Sequence, residues 1–509
     1  GDGSVAPRQG RRAAAGIPSP LPVSARAFTL GLALIVLLLG PLADVALTTG
    51  SPGAELQRMA AGLGAPHVAD GAEFARALLL TFAFGVLGTL LAAPVGLLLA
   101  LLWARRTVRV ISGSVRAIHE LFWALLLMQV FGLSPWTGLL ALALPFSAIF
   151  AKVFAEILAE QPDAALRALP PHTAPLVRWV CVRLPSAWPQ MRTYLLTRAE
   201  CGLRSSAVLG FIGLPTLGYH LDGALAYGAY DEAAAWLLGL IVLIAGFRWL
   251  LPAWSWPLWL LILPWTLPGD WSINTTALQR LLTEALWPAA LHAGDPTALL
   301  QWISALLRDA ILPGVINTLV LGALALAATA LLTLVLWPLA ARTVSGRLGA
   351  GLGHGVLLVL RSLPEYLLAY IFVLLWGPSM LPAIVALMLH NAAIIAFLMA
   401  RASDQLTLRA DAPRGVMRYG WEILPRLFAP YQAYLFYRWE IILRESAVVG
   451  LLGVYTLGFF VDSALAEMRL DHLPPLLLAT VLLNLSADAL SRRVRRLPPG
   501  PTQAGMAWS

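Results

Sequence analysis

Long apolar runs alternate with short polar stretches along this chain, and the polar stretches alternate in kind. Runs at 28–47, 74–103, 118–132, 136–155 and 233–251, then at 254–267, 312–341, 354–376, 381–400 and 474–490, approach or exceed the roughly 20 apolar residues that cross a bilayer as a helix. Arg8, Arg11, Arg12 and Arg26 precede the first run, and Arg105, Arg106, Arg109 and Arg116 follow the second. Arg342 and Arg347, and Arg492, Arg493, Arg495 and Arg496, follow later ones. Acids gather in the intervening stretches, as in Glu55, Asp70, Glu73, Asp231, Glu232, Asp270 and Glu284. Basic loops stay cytoplasmic, so the alternation predicts an all-α, multi-pass membrane protein with both termini in the cytoplasm.

Two further spans come from a repeat. Arg198 to Ala226, RAECGLRSSAVLGFIGLPTLGYHLDGALA, returns 240 residues later as Arg438 to Ala466, RWEIILRESAVVGLLGVYTLGFFVDSALA, identical at 16 of 29 positions without a gap. The identities include Arg198/Arg438, Glu200/Glu440, Arg204/Arg444, Gly210/Gly450, Gly213/Gly453 and Gly218/Gly458. Charges and glycines kept inside apolar sequence preserve a shape and an electrostatic pattern. Arg116-x-x-x-Glu120 also matches Arg361-x-x-x-Glu365, 245 residues on. The expectation is two parallel six-helix halves, about 12 transmembrane helices, related by an axis along the membrane normal. Residues 1–26 read as a disordered cytoplasmic N-terminus, 27–251 as the first half, 252–497 as the second, and 498–509 as a tail.

Composition sharpens this picture. The chain is 59% hydrophobic and 12% charged, about half the charge of a soluble domain. Its net charge of +8 follows from arginines in the loops, which points to topology and not to nucleic acid. Lys152 is the only lysine, and the two cysteines, Cys181 and Cys201, lack metal-ligand spacing. A phosphate-cradling GxxxxGK[ST] loop is absent, as are HExxH and GxSxG, so no catalytic site and no metal site is expected in this chain.

Residues 156–197 and 401–437 interrupt the span pattern as polar, proline-bearing cytoplasmic excursions of short helices. Ala164, Ala165 and Arg167 lead to Leu184-Pro185, and Arg409 leads to Leu424-Pro425, with acids Glu160 and Asp404 before them. A short amphipathic helix beside a proline-marked partner suits docking into a groove on a soluble protein. These excursions resemble the coupling loop of ABC importer permeases, and the block R-x-E-x-x-x-R-x-S-A-V-x-G-x-x-G resembles the phosphonate-type permeases in particular. The sequence departs from that pattern in lacking the coupling-loop glycine near Leu169 and Asp411 and in its T-L-G close.

The resemblance implies a type I ABC importer permease, two permease domains fused in one chain, in a bacterial cytoplasmic (inner) membrane. It implies a pathway for phosphonate or a related phosphorus oxyanion, coupled through the excursions to two copies of a separate ATPase subunit that carry the ATP and Mg. A periplasmic or lipid-anchored binding protein would deliver substrate, and no cofactor belongs to this chain. Iron(III), thiamine or another small solute is the alternative cargo, and a secondary transporter with two parallel halves the alternative class. Arg198, Glu200, Arg204, Arg438, Glu440 and Arg444, with Arg116, Glu120, Arg361 and Glu365, line the pathway or form structural ion pairs at i,i+4 spacing. Gly210, Gly213, Gly218, Gly450, Gly453 and Gly458 either allow close helix packing or break the span beside a pathway.

Overall fold

The computed structural model describes residues 25–48, 50–161, 169–170, 172–252, 255–269 and 271–494. The predicted N-terminal segment, the C-terminal tail and Ala164, Ala165 and Arg167 of the first excursion lie outside those residues. Helices make up the described chain: α1 (Ala25–Leu39), α2 (Pro52–Gly64), α3 (Gly71–Leu101), α4 (Arg106–Ala117), α5 (Glu120–Phe131), α6 (Pro135–Ala159), α7 (Leu184–Val208), α8 (Leu217–Ala226) and α9 (Tyr230–Leu250) in the first half. The second half contains α10 (Trp256–Ile262), α11 (Leu312–Ala340), α12 (Arg342–Ser362), α13 (Glu365–Trp376), α14 (Met380–Asp404), α15 (Leu424–Val448), α16 (Leu457–Ala466) and α17 (Leu473–Val494).

Each of the twelve predicted apolar stretches holds helix, but among the described residues only seven helices are individually long and apolar enough to cross a membrane. The others are shortened by breaks the apolar pattern does not reveal. Arg116 and Glu120, four apart in sequence, do not share a helix face, because α4 and α5 meet at 90° between them. The repeated block is likewise not one rod. Its helix tightens to a 3-10 turn at Leu209–Ile212, passes Gly213 at φ +97°, and restarts as α8. The second copy does the same through Val449–Leu452 and Gly453 at φ +86°.

Glycine makes the break possible. A Cβ on Gly218 would stand 1.8 Å from the Ala207 carbonyl oxygen, and one on Gly210 would stand 2.1 Å from the Tyr219 nitrogen. Backbone thus packs on backbone, and the glycines serve both close packing and the broken span. The restarted helix leaves amide donors without partners. Thr81 of α3 supplies one acceptor, its Oγ1 taking the Leu217 N–H at 2.9 Å, and Thr318 of α11 does the same for Leu457 at 3.0 Å.

The excursions are tighter than the polar stretches suggest. A helical turn at Pro175–Arg178 and a π turn at Trp179–Arg183 run directly into α7, so Leu184-Pro185 opens a long helix instead of closing a short one. Gly415–Arg418 and Tyr419–Ile423 repeat this before α15 and Leu424-Pro425. Proline has no N–H and crowds the carbonyl four residues back. The wider π turn accommodates Pro185 and Pro425 without ending the helix.

The first helix of each half lies on the other half. Phe28 of α1 packs edge-on to Phe428 and Tyr431 of α15, and the strand of chain after α1 pairs by backbone with the α13–α14 turn, Met380 N–H to Asp44 C=O at 2.8 Å. Reciprocally, Trp259 of α10 packs on Phe82 of α3, and the Trp136 indole donates to the Trp271 carbonyl at 2.9 Å.

Replacing Gly218 with alanine is expected to lower stability by about 1–3 kcal/mol or abolish folding. Gly223→Ala, which meets nothing within 4 Å, is expected to cost less than ~0.5 kcal/mol. Thermal unfolding of the two variants in detergent checks the difference.

Candidate functional site: the axis between the halves

The conserved charges of the repeat converge where the halves meet. Arg204 of α7 donates to the Arg361 carbonyl oxygen at the end of α12, 2.8 Å away. Arg444 of α15 donates to the Arg116 carbonyl oxygen at the end of α4, 3.3 Å away. Each arginine therefore satisfies a helix-terminal carbonyl of the opposite half, where the helix dipole is negative. Residue i contacting j while the equivalent of j contacts the equivalent of i is the mark of a two-fold axis.

The side-chain charges follow the same reciprocity. Arg116 pairs with Glu440 across the halves at 3.1 Å and with Asp488 of α17 at 3.4 Å. Glu200 is the carboxylate acting most strongly on Arg361. Arg444 acts on Glu120, and Arg204 and Glu365 act on one another. The i,i+4 spacing thus marks real charge clusters, whose contacts run across the axis as well as along the helix, Glu200 also acting on Arg204. Glu120 also accepts from the Ser205 hydroxyl at 2.5 Å.

Beside this polar belt lies an apolar plug. Leu121, Val208, Tyr366 and Val448 are buried together. By the repeat, Leu121 corresponds to Tyr366 and Val208 to Val448, so two equivalent pairs close the axis. Phe211 extends the plug, its ring 4.5 Å from that of Tyr366 and 6.3 Å from that of Tyr370.

The halves differ at the flanks. Arg198 lies over the Phe146 ring at 4.2 Å, a cation–π contact. Its equivalent Arg438 instead donates to Asn391 Oδ1 at 2.7 Å and stands 3.7 Å from Glu445. Asn391 also donates to Glu445 at 3.2 Å. Glu365, His390 and Glu445 bring one ligand-type atom each within 4.8 Å of one another. Such donors are of a metal-binding kind, yet Arg438 and Arg204 already supply positive charge to these carboxylates.

The predicted coupling residues sit apart from this axis. Glu160 ends α6, its N–H bonded to the Glu156 carbonyl. Asp404 ends α14 and accepts from the Thr343 N–H at 3.0 Å, joining the second excursion to the start of α12. Arg418 fastens the same junction through the Thr343 carbonyl at 2.7 Å. Arg409 pairs with Asp411 at 3.2 Å on the surface. Sequence reasoning missed Thr81, Thr318, Ser205, Glu445 and Asp488. Lone polar residues in apolar runs signalled the threonines and Asp488, and the one acidic mismatch in the repeated block signalled Glu445.

Fold and site define a multi-pass membrane protein built from two repeated units around a common axis. The chain is 27% identical over 475 residues to the phosphate-import permease protein PhnE of Mycolicibacterium smegmatis, covering 84% of this chain and 86% of that one. It is 29% identical over 179 residues to the phosphite transport system permease protein PtxC of Stutzerimonas stutzeri, covering 33% of this chain and 65% of that one. A putative phosphite transport system permease protein of the same organism, HtxC, is 24% identical over 177 residues, 32% of this chain and 62% of that one. No family model and no solved structure matches the chain. The first of these similarities runs over most of the chain and so takes in residues of both repeated units.

A double-mutant cycle separates cross-half from local pairing. Arg116→Gln with Glu440→Gln is expected to show a coupling of about 0.5–3 kcal/mol. Arg444→Gln with Glu440→Gln should show less than half of that, both read from unfolding in detergent.

Proposed function

We propose that this chain forms the translocation pathway of an ATP-driven importer for a phosphorus oxyanion, with phosphate, phosphite and phosphonate as the substrate class. The observation that carries the reading is the two-fold axis itself, where a closed apolar plug adjoins a belt of arginines contributed equally by both halves. The belt's arginines stand beside Glu120, Glu200, Glu365 and Glu440, so its charge alone does not choose between an oxyanion and iron(III) or thiamine. The names of the relatives point to the oxyanion.

ATP hydrolysis belongs in this reading to two copies of a partner subunit, with a binding protein delivering substrate on the opposite side of the membrane. The excursions are the docking elements, and they lie on the cytoplasmic side with both termini. Their surfaces carry apolar side chains open to solvent, Val416 at 77% and Trp421 at 75% exposure in the second. Large exposed aromatic residues of this kind anchor protein interfaces. Asp404 and Arg418 tie that excursion to the start of α12, which kinks at Gly346 (φ +72°) before it reaches the Arg361 carbonyl that Arg204 holds from the other half. Movement imposed by the ATPase at an excursion is thereby passed to the axis.

Uptake of labelled phosphate, phosphite and a phosphonate by cells expressing the chain with its ATPase and binding protein tests the proposal. Saturable uptake of at least one, abolished when the ATPase is inactive, is expected. Uptake that survives loss of every ATPase would make the chain a secondary transporter instead. Trp421→Asp is expected to weaken co-purification of the ATPase about tenfold or more, with the permease itself still folded.

A further inference from the structure

A cavity of about 420 Å³ opens between α4 and α6 of the first half and α17 of the second. Its wall carries Arg106, Arg109, Arg116, Lys152 and Arg492 against a single acid, Asp488. The acid is already committed: Asp488 pairs with Arg492 and with Arg116, and Arg116 also pairs with Glu440. Arg109 is held in place by the carbonyls of Trp103 and Ala104, at 3.0 and 2.9 Å, which orient its guanidinium without neutralising it. Arg106, Arg109 and Lys152 therefore face one cavity whose single carboxylate is held by Arg116 and Arg492.

The repeat shows that this charge is not required by the fold. The residues equivalent to Arg106, Arg109 and Lys152 are Gly351, His354 and Phe397. In that half Arg361 and Arg401 stack on the Phe397 ring at 4.2 and 4.6 Å, filling with carbon the place that Lys152 takes here. Keeping three like charges around one cavity opposes folding unless an anion occupies it, and two-fold relatives of the same residues manage without them. The sole lysine of the chain stands at this place.

We propose that this cavity binds a phosphate-bearing anion, and that it has no equivalent at the two-fold-related place. Arg106 and Arg109 would supply forked donors to its oxygens and Lys152 a point charge. The cavity lies at the arginine-rich end of the spans, beside the exposed apolar residues Val110 and Ile111 of α4, so a phospholipid headgroup and a free phosphate both fit the chemistry. Arg116 lines the same cavity and holds Glu440 of the other half. An occupant would stand beside the charge that joins the halves.

The test uses the purified full chain in detergent, with thermal unfolding read against added phosphatidylglycerol, phosphatidylcholine or inorganic phosphate. The variant is Arg106→Gln with Lys152→Gln, neither residue being part of the axis. Arg347→Gln, an exposed arginine elsewhere on the same end, is the charge control, and Arg106→Lys with Lys152→Arg is the rescue. Phosphatidylglycerol or phosphate is expected to raise the midpoint of the wild type and of the control, while phosphatidylcholine does not. The double variant should bind roughly thirtyfold more weakly, and the rescue should recover most of that loss. Response to phosphatidylglycerol alone would assign the site to a headgroup, and response to phosphate alone to a soluble anion. Equal response of wild type and double variant, or no response to either anion, would overturn the proposal. A failure here leaves uptake through the axis unaffected, so the two readings are judged separately.

Discussion

Two guanidinium groups, each donating to a helix-ending carbonyl of the opposite half, are the constraint on which the rest of this structure depends. The bend between α4 and α5, and the break between α12 and α13, leave carbonyls that no amide of their own helix can reach. Arg204 and Arg444 fill that need from across the axis. Once they do, Glu120 and Glu365 at the starts of α5 and α13 must lie beside those same arginines. The polar belt follows from the bends, and the plug of Leu121, Val208, Tyr366 and Val448 follows from bringing the same four elements together. Burying charge near the middle of an apolar protein is costly unless it is paired and hydrogen-bonded. Here almost every charged group of the belt has a partner contributed by the other half.

Equivalent positions in the two halves have changed in concert. Where the first half has Pro145, Phe146 and Ser205, the second has His390, Asn391 and Glu445. The exchange keeps both arginines satisfied by different physics, an aromatic face for Arg198 and an amide with a carboxylate for Arg438. A homodimer could not do this, since each substitution would appear on both sides of its axis. The basic cavity beside α4 and its aromatic counterpart around Phe397 are a second instance. Joining the units in one chain has freed each from being a copy of the other.

The helical class, the two halves and the identity of the charged residues were all legible in the chain, because hydropathy and an ungapped repeat are strong local signals. The breaks were not. Arg116 and Glu120 have the spacing of a helical pair, and only the three-dimensional bend removes them from a common face. Leu184-Pro185 has the look of a helix end, and only the π turn before it lets α7 run on. The glycines were readable as either packing or hinge positions, and the structure divides the roles, Gly210 and Gly218 packing while Gly213 and Gly453 turn the chain at positive φ. The partners of the charges lay hundreds of residues away, at distances no local spacing encodes. Thr81 and Thr318 were invisible as caps because the helices they cap, α8 and α16, were not separable from the spans before them.

The exchange of first helices bears on how the protein is made. α1 leaves the ribosome well before the helices it packs on, α11 and α15, which belong to the far part of the chain. Through synthesis of the whole first half it must wait in the bilayer with its contact face uncovered, or be held there by the insertion machinery. The first half is unfinished in the same way until α10 arrives to cover α3. α10 follows the first half directly, so the first half can close before the second, whose own completion is what covers α1.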